Sequence, residues 1–260
     1  DSQLWEMDAW MLRRTGALIR RCREWYDNFE FHRVYHAIDD FCTVDLSAFY
    51  FDVLKDRLYT FAPKNLGRRS GQTALYRIAN ALIRLIAPTL VFTSEEVWKF
   101  LPRTLGDPES VHMTLFPEPQ PFESAVDEKR SGNWDRLLDV RNEVLKALEP
   151  LRAAKTISAN LEARVTLRAS GKLAAILREY AAQLPAMFIV SQVELAPSDG
   201  NGAAAGGAES LQIEAGRALG KKCDRCWNYS VHVGENPKYP TVCERCVVAL
   251  DEIERQGGIL

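Results

Sequence analysis

Four cysteines, Cys223, Cys226, Cys243 and Cys246, constrain this chain more than any other feature. They form two Cys-x-x-Cys pairs with sixteen residues between them. A Cys-x-x-Cys turn aims two sulfurs at one point. Two such turns, joined by a loop long enough to double back, supply four thiolates for one tetrahedral ion. That is the closed arrangement of a structural Zn2+ site, with no open position for a substrate. Gly234, Asn236-Pro237 and Tyr239-Pro240 are turn-forming residues that suit such a loop. Two disulfides, or a redox Cys-x-x-Cys seen twice, are the competing readings. Neither suits a chain with no secretory signal and no thioredoxin-like βαβ pattern around the cysteines. A ribbon of roughly 40 residues is too small to be held by burial alone. The single metal ion is therefore expected to fold the ribbon, with ~10–16 kcal/mol of coupled binding and folding. Catalytic deaminase zinc sites want His-x-Glu upstream of Pro-Cys-x-x-Cys. His232-Val-Gly-Glu235 has the wrong spacing and lies between the pairs, so His232 reads as a surface residue of the loop.

The rest of the chain is long enough for two or three domains: 260 residues, 47% hydrophobic and 26% charged. Net charge is only −2, so a nucleic-acid partner has to be met by local basic patches. No apolar run of membrane-spanning length and no signal sequence is present. Cys22 and Cys42 stand alone and read as reduced core residues. The expected setting is reducing and cytoplasmic. The chain opens on Asp1-Ser2-Gln3 without an initiator Met and reads as a fragment or an engineered form.

Helical spacing dominates the first half. Met11, Leu18, Ile19, Cys22, Trp25, Tyr26 and Phe29 share one arc of a helix from Leu4 to Phe29. Arg13 and Arg20 lie opposite that arc, and Arg14 and Arg21 on its flank, as a solvated arginine face or a nucleic-acid contact. A second helix runs from about Phe31 to Val44, with Val34, Ile38 and Phe41 inward, and the pattern continues through Leu58. The aromatics Phe41, Phe49, Tyr50, Phe51, Tyr59 and Phe61 are core by default. Lys64 to Gly71 reads as a basic loop, with Lys64, Arg68 and Arg69 either gripping phosphate or solvated. Thr73 to Ile86 is an amphipathic helix, and Thr93-Ser-Glu-Glu96 a capping box that starts a short helix ended by Pro102. On that reading Glu95 and Glu96 cap a helix and carry no chemistry. Pro102 to Pro121 is the seam between domains. Trp134 to Ala154 is a further helix.

Beyond it the period falls to two. Leu161 to Leu167, Met187 to Leu195 and Leu211 to Ala215 read as strands, and Lys172 to Gln183 as a helix. The low-complexity stretch Pro197 to Ala208 reads as a hairpin tip between the second and third strands. The expected architecture is multi-domain. A mainly α helical bundle spans 1–120, a small α+β junction module 121–216, and a four-Cys zinc ribbon 217–260.

These residues carry a family resemblance. Asp39-Asp-Phe41, Asp45-Leu-Ser47, Phe49-Tyr50 and Lys55-Asp-Arg57-Leu-Tyr59 resemble the helical anticodon-binding domain of class I aminoacyl-tRNA synthetases of the isoleucine, valine and leucine group. Ala87-Pro88, Phe92-Thr93, Glu95-Glu96-Val97-Trp98, Ser110-Val111-His112 and Pro117 continue the likeness in order. Arg141 to Glu149, Lys155, Ile157, Leu161-Glu162-Ala163 and Phe188 to Glu194 resemble the junction of bacterial-type isoleucyl enzymes. Lys222-Cys-Asp-Arg-Cys-Trp227 with Cys243-Glu-Arg-Cys246 resembles their zinc module. Ser158 stands where the family often has glycine, which bears on a local turn. Valyl- and leucyl-type synthetases are the near alternatives. A DNA glycosylase is a farther one, sharing only the ribbon; it needs an N-terminal Pro-Glu, and this chain begins Asp-Ser. A stand-alone tRNA- or protein-binding module, with zinc only stapling a scaffold, is another.

The resemblance implies the tRNA-recognition portion of an ATP-dependent ligase that attaches isoleucine to tRNA(Ile). The HIGH-type, KMSKS-type and editing elements are not in this stretch, so no catalytic residue is expected and the fragment alone is expected to be inactive. The implied partners are the anticodon stem-loop and the upstream catalytic domain, in a monomeric cytoplasmic enzyme. Unpaired bases are read by stacking and edge hydrogen bonds, and their phosphates by Lys and Arg. The helical half offers Arg13, Arg14, Arg20, Arg21, Lys64, Arg68 and Arg69 for this. The ribbon offers Lys221, Lys222, Arg225, Trp227, Tyr229 and Arg245. Trp227 either forms a stacking platform or packs beneath the ribbon.

Overall fold

A computed structural model describes residues 3–103, 106–197 and 209–257. The chain divides into two compact units. One is Asp1–Leu58 with Lys64–Gly132, and the other is Tyr59–Pro63 with Asn133–Leu260. Among the described residues no helix is long and apolar enough to cross a membrane.

The first unit is helical. Helix α1 (Glu6–Asp27) is followed by α2 (Phe31–Asp40), a π-helical run (Phe41–Tyr50) and α3 (Phe51–Thr60). The periodicity suggested ordinary helix up to Val44. Instead Phe41, Leu46 and Tyr50 are all buried at a spacing near the wider π turn, which carries the Tyr50 hydroxyl inward to Asp8. Helix α4 (Leu66–Ile86) starts earlier than its apolar pattern, because the Asn65 side chain accepts from the Gly67 N–H and caps it. Arg68 and Arg69 therefore sit in a helical turn and not in a loop. Helix α5 (Val91–Phe100) starts at Val91 with no side-chain cap, so Thr93 lies inside it and the capping box does not form. Glu95 instead accepts from Ser110 Oγ at 2.8 Å and Val111 N at 3.1 Å, tethering the 3-10 turn Val111–Met113.

Helix α6 (Gln120–Glu123) packs on α1 at Gly16. A Cβ there would stand 2.7 Å from Glu123 Cγ and 2.9 Å from Phe122 Cβ, so only glycine admits the contact. This takes Arg13 out of the expected solvated arginine face, while Arg20 and Arg21 stay exposed. Arg13 donates to the carbonyls of Glu123 and Val126, and Arg20 pairs with Glu123 at 2.6 Å. Met7 to Leu12 are all buried as well. At the other end of α1, Phe29 is 78% exposed and not core, and Tyr59, 79% exposed, departs from the same expectation.

The second unit contains α7 (Glu128–Ala153) from Asn133 onward. Trp134, Leu137, Val140, Val144 and Leu148 form its buried stripe. A 3-10 turn (Asn160–Glu162) leads into β1 (Ala163–Ala169), where Ala163, Val165 and Leu167 alternate inward as a half-buried strand requires. The residue in the left-handed region near this junction is Lys155, not Ser158, whose N–H donates to Glu162. Helices α8 (Gly171–Glu179) and α9 (Leu184–Phe188) connect β1 to β2 (Gln192–Ala196). The strand expected from Met187 begins only at Gln192. Met187 and Phe188 are helical and buried, and Ile189 turns the chain at φ 58°. Strand β3 (Leu211–Arg217) completes a sheet of order β2-β1-β3. β2 is parallel to β1 and β3 antiparallel to it. Since β2 and β3 flank β1 and do not pair, the expected hairpin is absent. Its tip, 198–208, lies outside the described residues.

Candidate functional site

The ribbon begins at Gly220, held at φ 88° where a Cβ would stand 2.2 Å from the Ser230 carbonyl oxygen. That close approach lets β4 (Lys221–Lys222) pair with β5 (Tyr229–Ser230), Lys221 opposite Ser230 and Lys222 opposite Tyr229. The hairpin between them is the first Cys-x-x-Cys turn. The Trp227 N–H donates to the Cys223 carbonyl at 2.9 Å, and the Cys223 N–H to the Asn228 carbonyl at 2.8 Å. The second turn is the start of α10 (Glu244–Arg255), with Cys243 at its N-cap and Cys246 in its first turn. The loop between the turns doubles back through Gly234 at φ 105°, and the Asn236 side chain accepts from the Lys238 and Tyr239 N–H groups.

All four cysteines are buried, and their sulfurs lie within 4.8 Å of one another. Cys226 Sγ and Cys243 Sγ are 3.6 Å apart. A disulfide needs ~2.05 Å, whereas four thiolates ~2.3 Å from a tetrahedral ion lie ~3.8 Å apart. The cysteines are free, so the disulfide reading falls. The sulfurs also accept hydrogen bonds from outside the set. Asn228 Nδ2 donates to Cys226 Sγ at 3.4 Å, the Cys243 N–H to Cys223 Sγ at 3.3 Å, and Arg225 Nη1 lies 3.9 Å from Cys246 Sγ. Hydrogen bonds from Cys243 and Cys246 pull the Cys226 thiol well below the usual thiol range. The same contacts and burial push Cys246 far up and Cys243 to about 11. Thiols this close hold one another's protons, and a metal ion at their centre would replace those protons. Around them Val242 is buried, with Val233, Tyr239, Val247 and Leu250 packed against the cluster. The donor set, its spacing and its closed shell can hold a metal ion.

His232 is on the surface and bonds to Glu235, as its position between the pairs suggested. Trp227 is 61% exposed, which removes the reading in which it packs beneath the ribbon. It sits at φ 65°, a conformation bulky residues rarely adopt. Lys222 Nζ lies 5.3 Å from the centre of its ring. Lys221 and Lys222 are both exposed. Arg225 faces inward instead, donating to the Thr60 carbonyl at 2.5 Å. The Tyr229 N–H donates to Ser191 Oγ at 2.7 Å, and Arg245 is half-buried.

In the helical unit, Arg14 pairs with Asp45 at 2.5 Å and lies over the Trp10 ring. Arg21 is exposed beside Trp25, Lys64 is exposed, and Arg69 bonds to Gln72 at 3.2 Å. Lys222 and Trp227 come together on the ribbon, with the exposed Lys221 next to Lys222 in the chain, whereas Arg13, Arg14 and Arg225 are engaged within the chain. Sequence reasoning missed Asn228 as a sulfur donor and Tyr59 as an exposed aromatic. Asn228 stands two residues past Cys226, which is a readable signal; the exposure of Tyr59 has none.

Residues 8–167 match the family of the anticodon-binding domain of tRNA ligase. Residues 220–248 match the zinc finger found in FPG and IleRS. The chain is similar to the isoleucine–tRNA ligase of Syntrophotalea carbinolica, 44% identical over 254 residues, covering 97% of this chain and 27% of the relative. It is similar to those of Symbiobacterium thermophilum, at 44% over 94% of this chain and 26% of the relative, and Carboxydothermus hydrogenoformans, at 43% over 98% and 27%. The chain spans about a quarter of the length of the curated relatives it matches. Because the likeness runs through the helical half as well, a protein sharing only the ribbon is no longer a competing reading.

Proposed function

The chain belongs to the family of anticodon-binding domains of tRNA ligases, and on that premise we propose that it is the tRNA-recognition portion of an isoleucine–tRNA ligase. The observation that carries this reading is the pairing, in one chain, of a helical segment of that family with a four-cysteine ribbon that displays a tryptophan beside Lys222. Activation of isoleucine with ATP and its transfer to tRNA(Ile) belong, on this reading, to the rest of a monomeric cytoplasmic enzyme. The division into bundle 1–120, junction 121–216 and ribbon 217–260 is part of the same proposal.

Cys223, Cys226, Cys243 and Cys246 are proposed to hold one Zn2+. All-thiolate, tetrahedral sets favour zinc among the common divalent ions, and the closed shell gives it a folding role. The ion fixes the turn that displays Trp227. A single-stranded RNA loop presents unpaired bases, and an exposed indole offers one a stacking surface worth ~1–3 kcal/mol. Lys221, Lys222, Tyr229 and Arg245 are proposed to meet the adjoining backbone. Arg20, Arg21, Lys64, Arg68 and Arg69 are proposed for phosphates along the helical unit. Arg13, Arg14 and Arg225 contribute by holding structure.

The test is a fluorescence titration of the chain with isoleucine tRNA, valine tRNA and an equal-length DNA duplex at fixed salt. Preference for isoleucine tRNA, lost when one anticodon base is changed, is the expected result. Equal weak binding to all three overturns recognition by this portion, and preference for the duplex overturns the assignment to tRNA.

A further inference from the structure

Arg225 stands between two things that sequence does not connect. One of its Nη atoms donates to the Thr60 carbonyl at 2.5 Å and lies 3.9 Å from Cys246 Sγ. Its side chain is half-buried, in contrast to the exposed Lys221 and Lys222 on the same hairpin. The segment Tyr59–Pro63 belongs to the same compact unit as the ribbon, although it is more than 150 residues away in sequence. Within that segment Ala62 is fully buried, while Tyr59 is 79% exposed. Cys226 Sγ and Cys223 Sγ have their own donors in Asn228 and the Cys243 N–H, so the Cys246 sulfur is the one Arg225 serves.

We infer that Arg225 is a positioning residue that makes the placement of segment Tyr59–Pro63, and with it the exposed Tyr59 ring, depend on metal loading of the four-cysteine cluster. The physical argument is geometric. Arg225 lies inside the first Cys-x-x-Cys turn, so the direction of its side chain is fixed only when that turn is closed. With the turn closed, the guanidinium lies between the Cys246 sulfur and the Thr60 carbonyl and has both partners in place. When the ion is lost and the turn opens, the guanidinium loses its fixed origin, and the Thr60 carbonyl loses this donor. This inference rests on the metal reading proposed above, and deepens it by assigning what the metal controls outside the ribbon.

The experiment uses the whole chain. Bound zinc is measured by elemental analysis, and hydrogen exchange is followed in peptides spanning 59–63 and 221–230. The chain, Arg225→Ala and Arg225→Lys are each compared with metal bound and after chelation. With zinc bound, both peptides of the unmodified chain are expected to exchange slowly, and chelation to speed both by about tenfold or more, as expected for loss of a charged hydrogen bond. Zinc-loaded Arg225→Ala is expected to retain stoichiometric metal and slow exchange at 221–230, but to exchange at 59–63 as fast as the chelated chain. Arg225→Lys, with a single ammonium in place of the fork, is expected to recover part of that protection. A role confined to stabilising the ribbon would speed 221–230 in Arg225→Ala with zinc bound, and that result overturns the inference. Unchanged exchange at 59–63 in Arg225→Ala, or on chelation, overturns it as well. A chain that binds no zinc at all overturns the metal reading itself, which the elemental analysis separates from failure of the coupling.

Discussion

Each unit of this molecule is organised around a buried polar centre, and the two centres are completed differently. In the helical unit the centre is Asp8, fully buried on α1. Arg57 grips it with two bonds, Nη2 to Oδ1 at 2.6 Å and Nη1 to Oδ2 at 3.0 Å. Tyr50 donates to it at 2.8 Å, and Ser70 donates from α4. Arg57 also donates to the Gly67 carbonyl and lies over the Trp5 ring, while the Trp5 N–H donates to Ser70 Oγ. One carboxylate thus registers α1, the π-helical run, α3 and α4. Its countercharge is part of the chain, and a large apolar core that includes Trp10, Leu12, Leu18, Ile19 and Leu54 surrounds it. In the ribbon four sulfurs meet, the apolar residues around them are few, and on the metal reading proposed above the countercharge is an ion from solution. The bundle is therefore expected to fold unconditionally and the ribbon only with its ion.

The largest effect follows directly. Chelation, or Cys243→Ser, is expected to remove the ~10–16 kcal/mol of coupled binding and folding typical of such sites. Metal content and ordered amide exchange in 221–255 should vanish together while the helical signal of the first unit persists. Full zinc occupancy in Cys243→Ser would break the comparison at its root.

Next in size is the bundle's own centre. Asp8→Asn leaves the Arg57 charge buried with no carboxylate, an arrangement that costs about 3–5 kcal/mol. Denaturant unfolding of the first unit should show the loss, and the ribbon's metal affinity should not move. Pairing Asp8→Asn with Arg57→Met should recover part of it, since the stranded charge is then gone. A loss below about 1 kcal/mol in the single variant would mean that the centre is wet and that the bundle is held by apolar packing alone.

How far these centres were legible in sequence differs for a physical reason. The ribbon's ligands announce themselves because a metal turn needs cysteines at fixed local spacing, and that spacing survives as text. The Asp8 centre does not, because its partners stand 42, 49 and 62 residues away and only the packing of four helical segments brings them together. The same limit explains the other departures. A helical wheel has no knowledge of α6, so it leaves Arg13 on the solvated face, and Gly16, the residue that admits α6, looks like a weak spot in a helix until its neighbour is present. The capping box at Thr93 was a valid local motif. It lost to Ser110 and the Val111 amide, which claimed one of its acidic residues from fifteen and sixteen positions away.

Trp227 sharpens the comparison from the outside. If the metal's only task is to close the turn, Trp227→Ala should weaken tRNA binding by ~1–3 kcal/mol while zinc content and ribbon exchange stay unchanged. Unchanged affinity would leave the indole without its stacking role. Loss of zinc would show that the exposed ring also holds the ribbon together.

The smallest expected effect tests whether the helical unit carries any pH-conditional contact comparable to the ribbon's dependence on its ion. Glu95 is the candidate. The Ser110 hydroxyl and then the Val111 N–H hold its carboxyl below the ordinary carboxylate range. A depressed folded pKa means that the contact contributes stability above the unfolded pKa of about 4.3 and loses it as pH falls through the lower folded value. The tether between α5 and residues 110–113 should therefore hold at neutral pH and loosen only in acid. Amide exchange at Val111, corrected for its intrinsic pH dependence, should rise below the unfolded carboxylate pKa in the unmodified chain. Glu95→Gln should make that protection independent of pH without reaching the Asp8 centre. A Val111 amide whose protection ignores both acid and Glu95→Gln would place the tether in the packing of Val111 against Trp98 and Ala87. The helical unit would then have no conditional contact at this position, and dependence on conditions would be a property of the ribbon.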